Sequence, residues 1–368
     1  MVDERRTGLA GSISEPEAVD LDSRPASRAG SVGRGLARWE VLLAVVLVGL
    51  VLLGTTLSPV FLTQGNFSNL IAAVVEVGIM ALPMALIIIS GEIDLSVEAM
   101  VGLSASVLGF LWAAGYPLEV AIPAVLMLGA AGGLLNGLLV TWAGLPSLVV
   151  TLGTLALFRG LALVVLGPRG VSGFPPEFSA FGFGSIPGTP IPWPFVIFAV
   201  LAIALGFVLH GTWVGRQVLA VGKNVGAARY SGVRVARMKL ALFVLSGLVA
   251  SLAGVVLSAR IASARADAGE GMTLTVVTIV LLGGVNIFGG RGTIPGVVLA
   301  FFTLAVLGNA LRLADIASEI QSIAIGVLLI VSVVIPILAR QAQAAIDRAL
   351  RGRRVPAGRV GPGETASP

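Results

Sequence analysis

The residues best placed to do chemistry in this sequence are polar groups set within apolar runs: Glu76, Glu92, Asp94, Asn136, Asn286 and Asn309. A carboxylate or amide at membrane depth is costly unless it is partnered. Such a residue marks either a solute or ion pathway or a lock between helices. Glu92 and Asp94 stand in Ser90-Gly-Glu-Ile-Asp-Leu-Ser96, which interrupts two apolar runs. Gly91 permits irregular backbone there, and Asp94 and Ser96 can both satisfy free amides at the start of the following helix. Two readings follow, a broken helix held by its own caps or direct solute contact, and the capping reading is the stronger. A second polar stretch, Gly283-Gly-Val-Asn-Ile-Phe-Gly-Gly290, aligns loosely with the first, with Asn286 in the place of Asp94. This hints at an internal repeat. Asn136 and Asn309 suit bonds between helices better than solute contact. Glu76 is more credible in a pathway, and Arg159, toward the outer end of its apolar run, is expected to snorkel.

None of these residues forms a catalytic or metal-binding set. His210 is the single histidine and there is no cysteine, a poor donor set for a metal and no basis for thiol chemistry. It reads as an interfacial residue. Gly222-Lys223 is followed by Asn224 rather than Ser or Thr, and it lacks the earlier glycine of a phosphate loop. No Ser–His–Asp set and no paired aspartates with metal spacing occur. The expectation is no catalytic residue, no metal and no cofactor bound by this chain. Any work it does must draw energy from another chain.

The elements that position these residues are membrane helices. Of 368 residues, 56% are hydrophobic and 12% charged, with mean hydropathy +1.00, whereas a soluble domain averages about 25% charged. The 48 glycines fit tightly packed membrane helices. About ten spans can be drawn, near 40–58, 70–89, 97–115, 120–143, 147–166, 193–210, 239–259, 274–289, 294–312 and 319–338. The expected class is therefore an all-α polytopic membrane protein. Residues 1–38 read as a disordered tail, 39–339 as the membrane domain, and 340–368 as a basic tail. With the N-terminus inside, nineteen Lys and Arg fall in inner segments and four in outer ones. This predicts both termini in the cytoplasm. The net charge of +5 is thus topological, and no nucleic-acid partner is expected. The same count puts both glycine hairpins on the inner side, whereas an inverted repeat requires opposite sides. The outer connection 167–192, rich in Pro, Gly and Phe, reads equally as a docking surface for an extracytoplasmic partner or as a plain connector.

The long inner loop, about 211–238, contains Asn224-Val-Gly-Ala-Ala-Arg-Tyr-Ser-Gly232, flanked by Arg216, Lys223, Arg234, Arg237 and Lys239. A short helix of small residues in a basic loop suits docking to a soluble partner, because small side chains let a groove approach the backbone. An ordinary positive-inside loop is the plainer alternative.

The pattern Asn-x-x-Ala-Ala-x-x-Ser-Gly resembles the coupling helix of ABC-importer permeases, which docks on an ATPase subunit. Further ordered matches are Gly91-Glu-Ile-Asp-Leu-Ser-Val97, Leu145-Pro-Ser-Leu-Val-Val-Thr-Leu-Gly-Thr154 with Arg159-Gly160, Gly215-Arg-Gln-Val-Leu-Ala-Val-Gly222, and 282–292. Together, over 40–338, they resemble the ribose/xylose/rhamnose/autoinducer-2 permease family of carbohydrate-type ABC importers. Glu92 and Glu98 depart from it, since the family often has Gly at both. The resemblance implies an ABC importer permease fold in a bacterial inner membrane, with Asn224, Ala227, Ala228, Ser231 and Gly232 coupling to the ATPase. It implies three partners: an ATPase that uses the ATP, an extracytoplasmic solute-binding protein, and a second permease in a homo- or heterodimer. The implied solute is a monosaccharide or related polyol-like molecule, the rhamnose and autoinducer-2 branch being closest. A stand-alone secondary transporter using Glu76, Glu92 and Asp94 is the alternative. A membrane enzyme is disfavoured by the lack of an aspartate-rich metal motif.

Overall fold

The computed structural model describes residues 28–332 with 334 and 338, and 28–38 by backbone alone. Most of the first tail and all of the basic tail at 340–368 lie outside the described residues. The described chain is helical: α1 Arg28–Leu57, α2 Gln64–Ala72, α3 Val75–Ile89, α4 Val97–Ala113, α5 Leu118–Thr141, α6 Ser147–Leu166, α7 Pro176–Phe183, α8 Trp193–Gly211, α9 Trp213–Lys223, α10 Val225–Tyr230, α11 Val235–Arg260, α12 Met272–Leu282, α13 Ile294–Leu313 and α14 Ser318–Ser332. Two short strands, β1 Val171–Ser172 and β2 Ser263–Ala264, pair antiparallel. Helix α1 begins at Arg28, so 28–38 is helical where the sequence suggested a disordered tail.

Among the described residues six helices are long and apolar enough to cross a bilayer, and α2 with α3, bent by 49°, makes a seventh if the pair is one span. The apolar helices α4, α12 and α14 are shorter. Each of the ten apolar segments drawn from sequence thus contains a helix. The segment 70–89 is broken at Ala73–Val74, and 274–289 is helical only to Leu282.

The core forms around α3, buried along its whole length, and around α4 and α11. Helices α5 and α11 meet backbone to backbone: a Cβ on Gly133 would lie 2.2 Å from the Phe243 carbonyl oxygen, and one on Gly247 2.2 Å from that of Gly129. Only glycine permits that approach, the usual way membrane helices gain contact where no hydrophobic drive exists between them. Hydrogen bonds from Ser104 to Ser251 (3.0 Å) and from Ser251 to the Val125 carbonyl (2.6 Å) tie α4, α5 and α11 together. Helix α1 is peripheral. It is held on α12 and α13 by Trp39 Nε1 donating to Leu282 O (2.8 Å) and by a Thr293–Glu40 bond.

The bundle has two distinct ends. At one lie α9, α10 and both glycine hairpins, where the Gly290 amide donates to the Ile89 carbonyl (2.8 Å). Both hairpins therefore share one end, as the span count expected, and they do not form the opposite-sided pair of an inverted repeat. At the other end lie β1, β2 and α7. The connection 167–192 is packed there, with Phe174 stacked on Trp112 (centroids 5.7 Å apart) and a Cβ on Gly182 meeting the Ala259–Arg260 backbone.

Candidate functional site

The short helix predicted for docking is α10, and its motif residues mostly build the helix itself. Asn224 is the N-cap, its Oδ1 accepting from the Ala227 amide (2.9 Å). Ser231 Oγ donates to the Ala227 carbonyl (3.0 Å), and Gly232, at φ +83°, lets its own amide and that of Val233 close onto Arg229 and Ala228. Ala227 is exposed, whereas Ala228 is 4% exposed and packs into the core. The small size of Ala228 serves this chain's own packing. The surface α10 presents consists of Val225, Gly226, Ala227, Arg229 and Tyr230, the last 97% exposed. An aromatic side chain that exposed was the sequence signal for a contact surface, and the reading by small residues passed over it.

Helix α9 connects this surface to the bundle. It is capped by Thr212 and buries Val218 and Val221. A Cβ on Gly222 would stand 1.8 Å from the Ile89 carbonyl oxygen and 2.4 Å from the Gly290 amide nitrogen. The end of α9 therefore lies in backbone contact with the last turn of α3 and with the second glycine hairpin. A Cβ on Gly289, at φ +81°, would lie 3.0 Å from the Gly91 backbone and from the Gly222 carbonyl oxygen.

The first hairpin is a buried polar network in which one atom, Asn136 Oδ1, has no partner among the described residues. Asp94 is 1% exposed. Its Oδ1 accepts from the Ser96 amide (3.0 Å) and hydroxyl (2.6 Å), and its Oδ2 accepts from Ser246 Oγ of α11 (2.8 Å). Asn136 of α5 donates to Ser96 Oγ (2.8 Å). The Ile93 amide donates to Ser147 Oγ at the start of α6 (3.2 Å). Glu92 forms an ion pair with Lys239 at the start of α11. Thus one hairpin ties α4, α5, α6 and α11 together. Asn286 does a parallel local job: its Oδ1 faces the Phe288 amide (3.4 Å) and its Nδ2 donates to Gly289 O (2.9 Å). Both Asp94 and Asn286 accept from the amide two residues on. That common turn chemistry accounts for the likeness of the two segments.

A family model described as "Branched-chain amino acid transport system / permease component" matches residues 66–333. The chain belongs to this permease family. Among its relatives is the autoinducer 2 import system permease protein LsrD of Photorhabdus laumondii, 35% identical over 302 residues that cover 80% of this chain and 90% of the relative. The protein of the same name from Yersinia enterocolitica is 39% identical over 264 residues, 70% of this chain and 79% of the relative. That of Photorhabdus temperata is 37% identical over 302 residues, covering 80% and 90%. No solved structure matches. This permease of the ABC-importer type is a transport subunit and not an enzyme.

Within the permease, the remaining polar residues sort by their partners. Glu76, fully buried, accepts from Arg260 Nε (2.7 Å), while its Oε2 has no partner among the described residues. Asn309 donates to Asn66 of α2 (2.9 Å), a bond between helices. His210 Nε2 accepts from the Ile294 amide (3.3 Å) and so caps α13. Among the described residues no group of His, Asp or Glu could hold a metal. Arg159 does not snorkel. Its guanidinium lies 3.7 Å from Glu98 and 3.4 Å from Glu270, because a helical side chain leans toward the N-terminus of its helix, here toward Glu98. Lys239, Ser246 and Ser147 join the hairpin network from segments 54 to 152 residues away in sequence, and no local signal identifies them.

Proposed function

We propose that this permease forms the solute path of an ATP-driven importer for a small sugar-like solute, with autoinducer-2 the leading candidate. The observation that carries the solute class is the 35–39% identity to autoinducer-2 permeases over most of both chains. The amino-acid wording of the broader family description is the second reading. In this proposal ATP is used by a separate ATPase subunit, and both termini and α9–α10 lie in the cytoplasm, in keeping with the positive-inside count. The exposed face of α10, with Tyr230 and Arg229, docks in a groove of that ATPase, while Asn224, Ser231 and Gly232 hold the docking helix in shape. Closure of the ATPase pair moves α9, whose contact with Ile89 and Gly290 carries the movement to the hairpins of Asp94 and Asn286. The ordered outer connection with Trp112, Phe174 and α7 faces the solute-binding protein, and a second permease completes the membrane unit. Asp94, Asn136 and Asn309, engaged by protein partners, position helices around the path.

The test is uptake by proteoliposomes carrying the permease with its ATPase and solute-binding protein. ATP-dependent uptake of autoinducer-2 and none of leucine is expected. Leucine uptake overturns the solute class, and uptake driven by an ion gradient without ATP overturns the importer. Tyr230→Ala is expected to weaken co-purification of the ATPase while leaving thermal stability unchanged. Undiminished co-purification removes α10 from the interface.

A further inference from the structure

Between β2 and α12 the chain enters the bundle without forming a helix. Its path is marked by contacts on α4. A Cβ on Gly109 would meet Ala264, and one on Gly102 would lie 2.7 Å and 3.0 Å from the carbonyl oxygens of Ala266 and Ala268. Gly269 lies against Val101 and the Glu98 carbonyl, and the Thr273 amide donates to Glu98 Oε2 (3.1 Å). From Gly109 to Glu98 is eleven residues of helix, about 16 Å of depth. Irregular backbone at such depth persists only where it is buried in protein or lines a water-filled cavity.

This segment is buried on one side only, at Gly269 and in part at Ala266 and Ala268. It carries Arg265, Asp267 and Glu270, whose side chains are 53%, 52% and 64% exposed. Arg265 and Asp267 pair with each other through two hydrogen bonds of 2.8 and 2.6 Å. Below them Glu270 pairs with Arg159, itself 35% exposed, and Arg159 reaches Glu98. The Arg159 backbone lies twelve residues past Ser147, about 18 Å along α6, and its guanidinium leans back to Glu98 in the first turn of α4, which leaves the charge between the hairpin end and the middle of a hydrocarbon core of about 30 Å. Exposed charges at that depth are not stable against lipid.

On the importer reading above, we infer that this descending row of charges is the aqueous wall of the solute path. Arg159, Glu98 and Glu270 are its intramembrane contact for a neutral, polyhydroxylated solute. A guanidinium offers donors, carboxylates offer acceptors, and a solute hydroxyl can serve both at once. The exposed flank of the Arg159–Glu270 pair leaves hydrogen-bonding positions open to such a solute, and the ion pairing keeps the residues oriented when it leaves.

The absence of cysteine permits a direct test. Glu270→Cys is compared with Leu157→Cys in the complete importer in membranes, using a charged, impermeant methanethiosulfonate. Leu157 is 47% exposed at similar depth but on the opposite face of α6 from Arg159. The reagent needs a thiolate in water, so position 270 is expected to react at least about tenfold faster. Equal, slow rates overturn the aqueous wall. Arg159→Cys gives the same readout should Glu270→Cys fail to assemble. In an importer that takes up autoinducer-2, Arg159→Gln is expected to raise KM by about tenfold. An unchanged KM overturns the solute contact. Slow labelling with normal ATP-dependent uptake sinks this inference alone, whereas rapid labelling without ATP-dependent uptake sinks the importer reading.

Discussion

Replacing Asp94 by leucine separates a structural hairpin from a solute contact. Asp94 accepts three hydrogen bonds, from the Ser96 amide, the Ser96 hydroxyl and Ser246 Oγ. Leucine accepts none. Each buried donor left unsatisfied costs about 1–3 kcal/mol. The two hydroxyls can turn toward helix carbonyls but the amide cannot, so we take the low end, about 3 kcal/mol for the three. At an unfolding entropy of about 2.1 cal/mol/K per residue over about 300 or more residues, about 1.5 °C per kcal/mol, the midpoint of unfolding falls by about 4–5 °C. Asp94→Asn keeps an acceptor toward Ser96 and perturbs the Ser246 bond alone, costing about 1 kcal/mol. The assay is thermal unfolding of the detergent-solubilised permease beside uptake in proteoliposomes. The expected order of stability is wild type, Asp94→Asn, then Asp94→Leu, with uptake lost in the last. A leucine variant that melts with the wild type but does not transport refutes the capping reasoning and returns Asp94 to direct solute contact.

Two further outcomes follow from the same end of the bundle. Gly222→Ala places a methyl 1.8 Å from the Ile89 carbonyl oxygen. At an overpacking cost of about 1–3 kcal/mol the permease still inserts, but α9 is displaced and solute-stimulated ATP hydrolysis falls; full stimulation would show that this contact carries no coupling. Glu92→Gln leaves Lys239 unpaired in a setting where both side chains are 13–14% exposed, lowering stability by less than the about 3–5 kcal/mol of a fully buried pair. The exchanged pair Glu92→Lys with Lys239→Glu recovers most of it, and a melting point no higher than that of Glu92→Gln argues against direct pairing.

The sequence by itself determined what depends on neighbours along the chain. Continuous apolar runs have no stable place outside a bilayer, so the all-α membrane class was legible, as were ten apolar segments that each contain helix. Asp94 two residues before Ser96 is local turn and cap chemistry and was readable as such, whereas Asn224, read as a coupling residue, is the N-cap of α10 in the structure. Tertiary structure decided the rest, because these helices are apolar on every side and carry no stripe that says which face is inside. α3 and α6 are both strongly apolar, yet α3 is wholly buried and α6 largely exposed. For the same reason the inward direction of Ala228, the pairing of Glu92 with Lys239 147 residues away, and the turn of Arg159 toward Glu98 came only from packing. Glycine shows the division most directly. Its abundance was visible in the sequence, but that Gly222 lets α9 touch Ile89 and Gly290 depends on three distant segments arriving within one side chain's width of each other.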